Sequence, residues 1–134
     1  VTTIVGRVLN GLVVDYAGVL TEPDAAELFA AIDGLRDRGI RTALLSNAVG
    51  GGTAKARLGR WFDALVFSGE VGHAKPARQV YLLTAERLGL PANACVFVDD
   101  SRANVDGAVA AGMTGVHHSS VEATLTELGA LFPA

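Results

Sequence analysis

Five short runs that are apolar from end to end constrain this chain most: Gly11–Asp15 (GLVVD), Arg41–Ser46 (RTALLS), Ala64–Phe67 (ALVF), Ala94–Asp99 (ACVFVD) and Thr114–His117 (TGVH). A strand with one wet face alternates apolar and polar residues, whereas a strand covered on both faces does not. Helical stretches separate the runs. Pro23–Arg38 places Ala26, Phe29, Ala30, Ile32 and Leu35 near a helical period, with Gly39 just beyond its end. Pro76–Leu88 opens on a proline, sets Val80, Leu83 and Leu88 on one face and stops at Gly89. Ser101–Ala111 turns Val105, Ala108 and Val109 inward and closes at Gly112. Ser120–Leu131 presents Val121, Leu125, Leu128 and Leu131 to the sheet, and Thr53–Gly59 predicts a shorter helix leading into Trp61 and Phe62. Alternating strand and helix over short connections predict a doubly wound parallel α/β sheet, folded as one domain over residues 1–134.

Composition supports that reading and removes several function classes. Half of the 134 residues are hydrophobic and 19% are charged, which suffices for a core and argues against disorder. A net charge of −3 leaves no electrostatic footprint for nucleic acid and no basic stripe for an anionic membrane. Cys95 is the only cysteine, so neither an internal disulfide nor a cysteine-based zinc site can form. No apolar run approaches the roughly 20 residues of a membrane span. The amino end, VTTIVGRVLNG, lacks the pattern of a signal peptide, and a soluble cytoplasmic protein is expected.

Ligands of such sheets gather at the carboxyl ends of the strands, near a topological switch point. Asp15 ends the first run, Ser46 and Asn47 close the second, Lys75 stands before the third helix, and Asp99, Asp100 and Ser101 stand at the end of the fourth run. Three carboxylates converging there make a hard, oxygen-rich cluster that suits Mg²⁺. A hydroxyl and an amide beside backbone N–H groups hold phosphate oxygens, and one lysine keeps the carboxylates ionised. A carboxylate so placed can attack phosphorus and form an aspartyl-phosphate that water later cleaves.

The segments VVDYAGVL, ALLSN, AKP and VFVDDSRANVDGAVAAGM stand in the order and spacing of the four motifs of the haloacid dehalogenase-like (HAD) hydrolase superfamily, which the chain resembles from about Gly11 to about Val116. The resemblance implies a Rossmann-type three-layer core, Mg²⁺ as cofactor, and hydrolysis of a phosphate ester or acyl phosphate. By motif position, Asp15 matches the nucleophile and a metal ligand, and Ser46 matches the hydroxyl that binds the transferring group, with Asn47 beside it. Lys75 matches the third-motif lysine. Asp100 matches the fourth-motif metal ligand, Asp99 its neighbour that orients the site or exchanges roles with it, and Asn104 a further polar position of that motif.

Ala17 departs from the pattern. The superfamily's phosphatases usually carry a second Asp there, which protonates the leaving oxygen and later activates water. Alanine does neither, and general acid–base help is worth about 10²–10⁴-fold in rate. The residue at this position binds Mg²⁺ in the family through its backbone carbonyl, which alanine keeps. D-Y-A-G is locally similar to phosphonoacetaldehyde hydrolases, but their Schiff-base lysine comes from a cap inserted after the first motif. Only about two dozen residues separate Asp15 from the second run, and one helix consumes them. A site without a cap suits a macromolecular or bulky phosphorylated substrate, or a partner subunit acting as the lid. A small-molecule or bulky phosphorylated substrate is expected, and a capless, apolar-rich small domain makes a homodimer reasonable. The alternative function is a catalytically impaired HAD-fold protein that binds metal, phosphate or a protein partner.

Plainer readings compete at each position. Asp15, Asp99 and Asp100 can cap helices, Lys75 can be a surface lysine, and Ser46-Asn47 alone reads as a turn. Gly50-Gly51-Gly52 before Lys55 has the wrong spacing for a P-loop and predicts a flexible helix entry. His117-His118 predicts an exposed turn, Trp61-Phe62 closure of the core, and Cys95 inert packing.

Overall fold

The computed structural model describes residues 8–134; residues 1–7, part of the stretch that bears on a signal peptide, lie outside them. All five apolar runs are strands: β1 (Gly11–Val14), β2 (Arg41–Ser46), β3 (Ala64–Phe67), β4 (Cys95–Asp99) and β5 (Thr114–His117). They pair in parallel in the order β3-β2-β1-β4-β5. The helices are α1 (Ala26–Asp37), α2 (Gly52–Leu58), α3 (Ser68–Val71), α4 (Arg78–Arg87), α5 (Arg102–Ala110) and α6 (Val121–Leu131). Ala94 belongs to a short 3₁₀ turn, Ala92–Ala94, that feeds β4, and the one-turn helix α3 ends at Gly72 with φ 77°.

The strands are apolar throughout because successive side chains enter opposite cores. Leu12, Val14, Leu44, Val96 and Val98 pack with Leu28, Ile32 and Leu128 on one face. Val13, Ala43, Leu45, Val66 and Phe97 pack with Val80, Tyr81, Ala85 and Ala108 on the other. The result is a three-layer sandwich, as the resemblance implies. Among the described residues no helix is long and apolar enough to cross a membrane.

Helix faces depart from the sequence reading in three places. The buried stripe of α1 and its entry is Ala25, Leu28, Ile32 and Leu35, while Ala26 and Ala30 are exposed. Alanine fits either face, so an alanine-rich helix carries two overlapping periods, and the sheet takes the one with the larger aliphatic groups. In α4 the half-buried Leu83 yields to Tyr81, Thr84 and Ala85. Burial of Thr84 is offset because its Oγ1 donates to Val80 O at 2.7 Å. In α5, Val105 and Ala108 are buried, but Val109 is 53% exposed.

Topology places the site. β1 lies between β2 and β4, so the chain reverses its direction of travel across the sheet beside β1, and a crevice opens at the carboxyl ends of β1 and β4. Val14 is level with both Leu44 and Val98. The next residues on two of these strands, Asp15 and Asp99, are therefore brought side by side. Residues 15–40, between β1 and β2, hold a run of turns and α1.

The loop that carries Lys75 is held by close approach to α5. A Cβ on Gly107 would lie 2.7 Å from both Pro76 Cβ and Pro76 O. Gly107→Ala is therefore expected to destabilise the protein, by overpacking worth about 1–3 kcal/mol. In an ordinary helix interior the same change gains about 1 kcal/mol. The shift of the urea midpoint gives the sign, and a rise would refute this account.

Candidate active site

Lys75 is the centre of the crevice. Its Nζ donates to Asp15 Oδ1 at 2.7 Å, Asp99 Oδ2 at 2.9 Å and the Leu45 carbonyl at 3.0 Å, so all three of its protons are used. Its side chain is 1% exposed, and Nζ lies 5.5 Å from the centroid of the Phe97 ring. A lysine so deeply buried is not a surface residue, and the plainer reading of it fails.

Asn47, at the end of β2, sets the position of that lysine. Asn47 Nδ2 donates to Lys75 O at 3.0 Å, and Lys75 N–H donates to Asn47 Oδ1 at 2.9 Å. The pair works as a backbone clamp, a role that the sequence reading, which places Asn47 at a phosphate, does not contain. Ser46 is 7% exposed, and its hydroxyl makes no hydrogen bond among the described residues.

The two adjacent carboxylates of β4 have opposite surroundings. Asp99 is wholly buried, its Oδ1 accepts from Ser101 N–H at 2.9 Å, and its Oδ2 accepts from Asn104 Nδ2 at 3.1 Å as well as from Lys75. Burial pushes its carboxyl up, but the Lys75, Ser101 and Asn104 donors outweigh burial and hold it below the usual carboxylate range. Asp100 is exposed and packs against Gly18, where a Cβ would lie 2.2 Å from Asp100 Oδ2. Partial desolvation and the neighbouring Asp99 push Asp100 up. Burial pushes Asp15 up, and Lys75 only partly offsets it.

Asp15, Asp99 and Asp100 each offer an oxygen, all within 4.8 Å of one another. A hard divalent cation takes such a grouping. Ala17 is exposed two residues from Asp15, and its carbonyl accepts no hydrogen bond among the described residues. Asn104, singled out only as polar, bonds Asp99, and its own carbonyl accepts from the Tyr81 hydroxyl at 2.7 Å.

Residues outside the crevice follow the plainer readings, with one correction. Gly50 and Gly51, at φ 86° and 114°, lead into α2, and Lys55 pairs with Glu70 at 3.1 Å. Phe62 is core, and Trp61 packs on Phe29 with ring centroids 4.6 Å apart. Burial pushes the Cys95 thiol up to about 11, consistent with inert packing. His117 is exposed as expected, but His118 is 3% exposed. Its backbone N–H extends the β4–β5 pairing to Asp99 O at 2.8 Å, and its Nδ1 meets Thr124 Oγ1 at 2.6 Å, which carries the ring under α6.

The fold is a Rossmann-like α/β core with a lysine shared between two carboxylates at its switch point. The chain belongs to the haloacid dehalogenase-like hydrolase family, whose model matches residues 3–112. It is 36% identical over 98 residues to Protein CbbY of Rhodobacter capsulatus, covering 68% of this chain and 42% of that one. It is 41% identical over 59 residues to the fructose-1-phosphate phosphatase YqaB of Escherichia coli, covering 44% and 31%. The chain thus matches less than half the length of these relatives. A crystal structure of an uncharacterized protein from Corynebacterium glutamicum superimposes with a TM-score of 0.87 at 36% identity, covering 92% of this chain and 95% of that one.

The contrast between Asp99 and Asp100 is measurable. Asp99→Ala leaves Lys75, the Ser101 N–H and Asn104 without their acceptor and is expected to cost about 3–5 kcal/mol. Asp100→Ala is expected to change stability by less than about 0.5 kcal/mol. Urea denaturation of the two variants should separate them by several-fold in loss of stability, and equal losses would contradict the geometry.

Proposed function

We propose that the chain is a Mg²⁺-dependent hydrolase of phosphate monoesters or acyl phosphates, with Asp15 as nucleophile. The observation that carries this reading is the sharing of Lys75 Nζ between Asp15 and Asp99, at 2.7 and 2.9 Å. It holds one carboxylate oxygen of Asp15 fixed and leaves the other for reaction. One ammonium against three carboxylates also leaves negative charge in excess, and the charge of Asp99 adds to burial in pushing Asp15 and Asp100 up. A divalent cation offsets that excess, so the donor set fits the metal that the family uses. Asp15, Asp100 and the Ala17 carbonyl would hold it directly, since Asp99 already spends both oxygens on protein donors. When bound, Mg²⁺ would neutralise phosphate charge and favour the ionised form of Asp15.

The chain's own groups supply the remaining steps. The Ser46 hydroxyl and nearby backbone N–H groups bind phosphate oxygens. Asp15 attacks phosphorus, the bond to the leaving oxygen breaks with its electron pair, and an aspartyl-phosphate forms. Water then attacks phosphorus, which releases phosphate and a proton and restores the carboxylate. Lys75 stays paired with Asp15 and Asp99 throughout and keeps the attacking oxygen aimed. Relatives named as phosphatases support the substrate class, and the turns and single helix between β1 and β2 support an open site without a cap inserted there.

Ala17 favours a second reading, in which the fold binds metal and phosphate, or a partner, with little turnover. Assays with Mg²⁺ against acyl, aryl and alkyl phosphates separate the two. The first reading expects turnover of acyl and aryl phosphates only, lost by at least about 10³-fold in Asp15→Asn. It also expects Ala17→Asp to raise alkyl phosphate turnover by about 10²–10⁴-fold. Calorimetry should show Mg²⁺ affinity falling at least about tenfold in Asp100→Asn. Mg²⁺ binding with no turnover of any substrate would establish the second reading.

A further inference from the structure

Beside the phosphate position the structure has a second feature, which the hydrolytic reading does not use. A cavity of about 270 Å³ is walled by Tyr16, Leu44, Ala54, Leu58 and Phe67, and Ser46 and Arg57 line its polar side. Tyr16 follows the nucleophile directly, and Ser46 is the residue proposed to touch the phosphate. A group joined to a phosphorus held there therefore has this cavity next to it. The walls are largely apolar and come from elements fixed by the core: Leu44 and Leu58 are buried, and Phe67 is 3% exposed. A cavity of about 150 Å³ lined by aliphatic and aromatic groups already accepts a benzene molecule. This one has space for a substituted ring.

Ala17 adds an independent restriction. Its methyl group stands exposed two residues from Asp15 and supplies no proton to a departing oxygen. A leaving group that departs unprotonated has to be acidic by itself: a carboxylate or a phenolate, not an alkoxide. Sugar and polyol phosphates are disfavoured, because their leaving groups are poorly acidic and most of the cavity wall offers their hydroxyls no partner.

We infer that the cavity bounded by Tyr16, Leu44, Ala54, Leu58 and Phe67 seats the leaving group of an aromatic acyl or aryl phosphate. This rests on the hydrolytic reading for its chemistry, whereas the seating of the ring does not depend on turnover. Asp15 takes the phosphoryl group, the phosphorus–oxygen bond breaks, and the electron pair leaves on a carboxylate or phenolate. The ring stays in the cavity, and no proton needs to be delivered.

The test compares benzoyl phosphate with acetyl phosphate, two acyl phosphates of similar leaving-group acidity that differ in the ring. With Mg²⁺ present, kcat/KM should favour benzoyl phosphate by at least about tenfold, as burial of a ring in a fitted pocket gives. Ala54→Phe fills the cavity and should bring the ratio close to one. Ala48→Phe does the same from an exposed position and guards against misfolding of the first variant. Equal rates for the two substrates, or a ratio untouched by both variants, would overturn the inference and leave the hydrolytic reading standing. If neither substrate turns over, the hydrolytic reading fails, and calorimetry with benzylphosphonate and methylphosphonate decides the cavity. Benzylphosphonate binding at least about tenfold tighter, with the difference lost in both variants, upholds the seat. Equal affinity, or no binding of either, overturns it.

Discussion

A single buried ammonium ties the structure together. Lys75 Nζ joins Asp15 after β1, Asp99 of β4 and the Leu45 carbonyl of β2, three adjacent strands of the sheet. An ammonium taken out of water costs several kcal/mol, and only close anionic and dipolar partners make its burial tolerable. The three central strand ends therefore have to stay in register for Lys75 to stay buried. Conversely, Lys75 allows two carboxylates to sit side by side in a dry crevice. The Asn47 clamp and the contact of Gly107 with Pro76 serve that placement from the loop side, and Asn104, Ser101 and Tyr81 serve it from α4 and α5.

This arrangement divides work between neighbours that look alike. Asp99 is saturated with donors and acts as structure, while Asp100, one residue on, faces solvent with its oxygens uncommitted. Lys75 likewise is spent on carboxylates and not on phosphate. On the proposed reading, positive charge for a phosphate comes from elsewhere, and the three grouped carboxylates suit a divalent cation. On the proposed reading, Ala17 and the largely apolar cavity next to Tyr16 favour a leaving group that departs without a proton.

Much of this was legible in the residues. The strands were, because a strand buried on both faces has a pattern that no amphipathic helix produces. The gathering of Asp15, Lys75, Asp99 and Asp100 was, because strand ends of a doubly wound sheet meet at one edge. The inward faces of α1 and α4 were not: alanine carries little directional information, and Thr84 hides its hydroxyl on a backbone carbonyl. The Leu45 carbonyl could not be read, since every residue has one. Asn47 as a clamp and His118 as a buried ring depended on which backbone atoms came within reach.

By itself the sequence determined the alternating elements, the parallel sheet and the set of polar residues gathered at its carboxyl edge, because these follow from local periodicity and chain order. Only the tertiary structure decided which carboxylate is spent on Lys75 and which is left open. It alone placed a largely apolar cavity beside Tyr16 and Ser46. Both depend on distances between side chains far apart in the chain, and those are set by strand register and packing, not by neighbours in sequence.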